Sequence, residues 1–248
     1  MKTIPRVQFV VATAAFEADI IGIFLEGSWG EKITHLYPEL RTIQEMSDGK
    51  KQKTQLKKSV TAFLKTNANE FQRTKKNFQK DWDRIEKKIL PTLVQIIGTD
   101  FPATRKRIEA IISQNPVCPR FLPSWSFSVY LRCEDQANVR RIVTHEVTHF
   151  LHFKKWREMH PEADSQTFEA PHREWLLSEL AAVAVLNDPR IRTVVGMREK
   201  PYKEHRKIKI DGRCAPVVIN QLYKQSIKNG RGYEWFLEEG MKLVKKAI

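Results

Sequence analysis

Cysteine is scarce in this chain of 248 residues: there are three, Cys118, Cys133 and Cys214. Their odd number and wide spacing argue against a disulfide framework, and no CxxC pair is available to hold a metal. A reducing compartment is the simpler expectation. Long apolar runs are missing too. The nearest approach is the N-terminal MKTIPRVQFVVATAAFEADIIGIF, where Lys2 and Arg6 precede an apolar stretch with small residues at 12–15, the outline of a secretory signal. The run is short, Pro5 and Arg6 sit against it, and Glu17 and Asp19 follow at once. Nothing else approaches the roughly 20 apolar residues that span a bilayer. A soluble, cytoplasmic protein is expected, with secretion as the lesser alternative. Internal repeats and low-complexity tracts are absent, so no repeat architecture enters the reading.

What is present is enough apolar residue, 41%, to fill a core, and a net charge of +14. The length suits one domain spanning 1–248, with a basic, mainly helical part over 1–110 and a second part over 111–248. The charge is uneven. Residues 41–110 carry 17 basic and 8 acidic side chains, whereas residues 111–170 carry 7 of each. The basic flanks offer attraction to acidic partners, but no nucleic-acid motif accompanies them, and the lysines read first as a solvated helix face.

Residues 50–97 predict one or two amphipathic helices, with Phe71, Phe78, Trp82, Ile85 and Ile89 near helical spacing. Residues 103–114, ATRKRIEAIISQ, predict a shorter helix with Ile108, Ile111 and Ile112 inward. Three prolines in NPVCPRFLPS mark an extended connection. In WSFSVYLRC, residues 125–133, Phe127, Val129 and Leu131 alternate with polar neighbours, the period of a strand with one buried face over 125–132. Glu134 and Asp135 then offer charge for the start of a helix over about 136–156, and a second helix follows over about 172–187. Further helices are expected at 215–228 and 233–246. The class is α+β, predominantly helical, with a small mixed sheet.

The middle of the 136–156 helix reads RIVTHEVTHFLHF. Positions four apart stack on one face, so His145 and His149 can present nitrogens to one Zn²⁺ at roughly 2.0–2.1 Å, and Glu146 stands beside them where a carboxylate can take a proton from a metal-activated water. By chance this pattern arises in roughly one or two chains in a hundred of this composition, before its mid-helix, apolar setting is considered. His152 sits one turn further along the same straight helix and cannot close a tetrahedral face, so it is expected to pack or hydrogen-bond.

These residues resemble the gluzincin branch of the zinc metallopeptidases, whose HExxH is followed on a second helix by a glutamate ligand; the metzincin extension is absent from FLHFKKWREM. The match is His145, Glu146 and His149, with Glu179 of LLSELAAVAV as third ligand, and it covers residues 125–187. The resemblance implies a zincin-like fold, one catalytic zinc, hydrolysis of a peptide or protein substrate, and an edge-strand role for SFSVYL. It also implies an oxyanion-stabilising residue, for which Tyr202, His205, Tyr223 and Tyr233 are all eligible. Glu179 shares a stripe with Leu176, Leu180, Val183 and Leu186, where an unpaired carboxylate is costly. Glu174 and Glu169 are its rivals. The alternative function is a zincin-fold regulatory or binding module without proteolysis, engaging acidic partners through the basic helices.

Overall fold

The structure is a computed structural model that describes residues 3–133 and 135–247. Lys2 and Glu134, to which the sequence assigns flanking roles, lie outside the described residues. The chain is 63% helical with a small mixed sheet, in keeping with the α+β expectation. It runs β1 (Arg6–Val11), α1 (Ala14–Leu25), α2 (Gly30–Leu36), α3 (Arg41–Gln44), α4 (Gly49–Thr66), α5 (Ala68–Asp83) and α6 (Glu86–Ile97). Then come β2 (Arg107–Ser113), β3 (Arg120–Phe121), β4 (Ser126–Tyr130), α7 (Gln136–Met159) and α8 (Arg173–Leu186). It closes with α9 (Pro189–Val195), α10 (Lys203–Lys207), β5 (Lys209–Ile210), β6 (Arg213–Cys214), α11 (Ala215–Lys228) and α12 (Gly232–Val244). Among the described residues no helix is long and apolar enough to cross a membrane.

Two compact units share these elements. One takes in the chain up to Arg6, Asp83–Lys106 and Arg140 onward; the other is Val7–Trp82 with Arg107–Val139. This division does not follow the 1–110 and 111–248 parts expected from charge. That boundary falls inside β2, because a strand must stay with its sheet whatever the composition on either side.

The second unit is built on a four-stranded sheet ordered β1-β2-β4-β3. Strand β2 pairs parallel with β4, from Glu109 opposite Ser126 to Ser113 opposite Tyr130. Residues 107–113 are therefore a strand, not the helix expected over 103–114. Ile108, Ala110 and Ile112 are buried on one face, with Ile111 and Ser113 buried on the other, and a short β-branched run is decided by the partner available to pair with it. Strand β4 is not an edge: β3 pairs antiparallel on its other side, Arg120 opposite Phe127 and Phe121 opposite Ser126. The substrate-binding edge role expected of SFSVYL is thus corrected. Its single buried face is corrected as well, since Ser126 and Ser128 are buried along with Phe127 and Val129. Helices α1, α2 and α4 close over a core of Ile21, Leu25, Ile33, Leu56 and Val60. The lysine-rich segment 50–97 forms three helices rather than one or two, and α4 is started by Asp48, whose carboxylate accepts from the N–H groups of Lys50 and Lys51. All six lysines of α4 are exposed.

In the first unit α8 packs against α11 and α12, and α6 against α9 and α12. Every residue of α8 from Leu176 to Leu186 is buried, as is every residue of α7 from Val143 to Phe153. Such helices have no solvent face, so polar side chains within them must be satisfied internally. Thr144 and Thr148 manage this by donating to the carbonyls of Arg140 and Thr144, both at 2.7 Å.

Candidate metal centre

The HExxH residues occupy the fully buried turns of α7. His145 and His149, one turn apart, bring their Nε2 atoms to 2.9 Å from each other. Glu179 enters from α8, its Oε2 3.5 Å from His145 Nε2 and its Oε1 3.4 Å from His149 Nε2. The three donor atoms all lie within 4.8 Å of one another. A tetrahedral ion with ligands at roughly 2.0–2.1 Å separates neighbouring donors by about 3.3 Å. Each imidazole nitrogen lies near that distance from one carboxylate oxygen of Glu179, a different oxygen for each histidine, and the shorter histidine edge corresponds to an angle of about 90° at the ion. In kind and number the donor set is one that could hold a metal ion such as zinc.

Burial sets the electrostatics. His145, Glu146, His149 and Glu179 are each less than a tenth exposed. Burial by itself lowers the His145 imidazole, but the carboxylates of Glu179, Glu199 and Glu146 outweigh it and hold His145 up at about 9. A cation is what these carboxylates select for; without a metal, a proton on His145 serves. Glu146 directly follows His145 on the helix, and its carboxylate, with those of Glu179 and Glu199, acts on the hydroxyl of Tyr202. That phenol is pushed up, first by burial of its oxygen and then by the three carboxylates, although the ring as a whole is half exposed.

The four eligible tyrosine and histidine residues separate into two pairs. Tyr223 donates to Asp188 Oδ2 at 2.9 Å, and Tyr233 lies 3.0 Å from His152 Nδ1, so both are engaged away from the ligands. The second contact also gives His152 the hydrogen-bonding role expected of it. Tyr202 and His205 stand edge to face at 5.3 Å, and His205 also abuts Trp175 at 5.4 Å. Burial lowers the His205 imidazole, while Glu179 and His145 act on it from the ligand cluster. Of the rival carboxylates, Glu174 is half-buried at the start of α8 and Glu169 is exposed. Neither joins the cluster of ligating groups found among the described residues.

Two residues here were not picked out from the sequence. Glu199, 4% exposed, accepts two hydrogen bonds from Arg141 Nη1 at 2.9 and 2.8 Å, and its Oε1 lies 3.8 Å from His145 Nδ1. Arg141 precedes His145 by four positions, on the same stripe of α7. A guanidinium on the stripe that carries the histidines is a place for a carboxylate to dock, and that was the available signal. Comparison of the chain with protein-family models, curated proteins and solved structures finds no match.

Proposed function

We propose that this chain is a zinc-dependent metallopeptidase of gluzincin type, on a zincin-like fold, with one catalytic zinc held by His145, His149 and Glu179. The observation that carries the reading is the convergence of two imidazoles from α7 and a carboxylate from α8, their donor atoms within 4.8 Å of one another, with Glu146 buried alongside. Zinc, when bound, supplies Lewis acidity and a more acidic water. Glu146 is the general base: it takes the proton of the attacking water as the new C–O bond forms and the carbonyl oxygen gains charge, and it then returns that proton to the amine as the peptide C–N bond breaks. Tyr202 and His205, on which the charges of the ligand cluster act, are the donors for the oxygen that gains charge. The substrate is a peptide or protein.

One observation favours the second reading, a zinc-holding module without proteolysis. All four central groups are more than nine-tenths buried, whereas an extended peptide has to reach Glu146. Metal analysis and hydrolysis of a denatured protein separate the two. The peptidase reading expects one zinc per chain, turnover, and a Glu146→Gln variant that keeps zinc while losing turnover, because an amide cannot accept the proton. Stoichiometric zinc without turnover under any condition selects the binding module, and absence of zinc rejects both.

A further inference from the structure

Glu199 has a setting that its sequence context, MREKPYKEH, does not suggest. Its backbone is held on both sides by the side-chain amide of Asn187, the residue that ends α8: Asn187 Oδ1 accepts from Glu199 N–H at 3.2 Å, and Asn187 Nδ2 donates to Glu199 O at 3.0 Å. Its carboxylate is held by Arg141 of α7 through the two bonds already described. One residue outside both helices is therefore tied to the helix of the histidine ligands and to the helix of the glutamate ligand. Nδ1 of His145 is buried and makes no hydrogen bond, and the carboxylate that faces it is Glu199, at 3.8 Å. An ordinary N–H···O bond requires that gap to close by about 0.8 Å.

We propose that Glu199 is the positioning residue of the site: clamped by Arg141 and Asn187, it takes the Nδ1–H of His145 and so leaves the Nε2 lone pair of His145 directed at the ion. The orientation logic is general. An imidazole offers a metal one nitrogen only when the proton is kept on the other, and a fixed carboxylate keeps it there. Removing such an outer partner typically costs about 10- to 100-fold in metal affinity. Arg141 serves a different end, since its two hydrogen bonds hold the buried carboxylate in place.

The role in metal binding rests on the zinc reading above; the contact with His145 does not. The test therefore has two arms. In metal-free protein labelled with ¹⁵N-histidine, the Nδ1 proton of His145 should give a slowly exchanging, downfield-shifted signal that disappears in Glu199→Ala and survives, shifted, in Glu199→Gln, whose amide oxygen still accepts. In chelator competition, zinc affinity should fall about 10- to 100-fold in Glu199→Ala and less in Glu199→Gln. A role limited to packing would lower the melting temperature of both variants and leave the proton signal and the zinc affinity unchanged, and that result overturns the proposal. If wild type binds no zinc but the signal still depends on Glu199, the contact with His145 stands and the metallopeptidase reading falls. If Glu199→Ala fails to fold, Glu199→Gln decides: an unchanged proton signal together with unchanged zinc affinity rejects the assignment.

Discussion

Glu179→Ala tests the ligand set most directly, because it leaves both histidines and the general base in place. Zinc that binds only the folded chain stabilises it by RT ln(1 + [Zn]/Kd), which is about 2.7 kcal/mol at a hundred times Kd. For a chain of this length each kcal/mol moves the midpoint by about 2–4 °C, so wild type should gain roughly 5–11 °C in that much zinc. An outer partner of a ligand is worth up to about 100-fold in affinity, and a ligand itself at least that. At the same zinc concentration the variant would retain RT ln 2, about 0.4 kcal/mol, or a shift of about 1 °C. The comparison is each protein's own zinc-induced shift, read by scanning calorimetry, so any change in the metal-free fold cancels. Glu174→Ala, altered at a half-buried position outside the cluster, should show the full shift. A full zinc-induced shift in Glu179→Ala would refute the assignment and return the third ligand to the other carboxylates and histidines.

Glu17, fully buried in the second unit, accepts from Ser113 Oγ and from the Gln114 N–H, yet burial outweighs both and lifts its carboxyl from 4.5 to about 7. A raised folded-state value contributes stability that is complete below pH 4.5 and lost as pH rises through 7, a change of about 3 kcal/mol. Glu17→Gln lacks that proton, so its stability relative to wild type, from urea unfolding, should improve by about 3 kcal/mol between pH 4.5 and 8; a constant difference would show that Glu17 does not titrate as its burial implies. The exposed lysines of α4 should act on partners and not on chemistry. Raising ionic strength should therefore weaken binding of an acidic polypeptide while short neutral peptides turn over nearly unchanged, and equal loss of both would reject that separation.

How far the sequence discloses this fold depends on whether the deciding contact is local. The α11 helix, Ala215–Lys228, matches its expected span because Pro216 opens it and its apolar spacing fills it. The segment 103–114 offered two periods at once: Ile108, Ile111 and Ile112 suit a helix, while Ile108, Ala110 and Ile112 suit a strand. Only the pairing with β4, itself set by long-range packing, chooses between them. The interior position of β4 was hidden for a related reason. Its outer neighbour β3 is two residues long and lies among prolines, where composition predicts a connection and backbone pairing makes a strand.

The site shows the same gradient. His145, Glu146 and His149 share one turn of helix, so spacing alone assembles them. The cost of burying a carboxylate singles out Glu179, but Leu176–Leu186 is buried on every side, so no stripe distinguishes one face. What distinguishes Glu179 is the imidazole pair it meets. Glu199 lies at the far end of the gradient: 58 positions from Arg141 and 12 from Asn187, in a segment that composition reads as a charged loop. A loop carboxylate becomes a buried anchor only when two helices each spend a side chain on it. In α7 that side chain is Arg141, on the stripe that also carries His145 and His149. Spacing places that arginine four residues before the first histidine, but only the fold brings Glu199 to it.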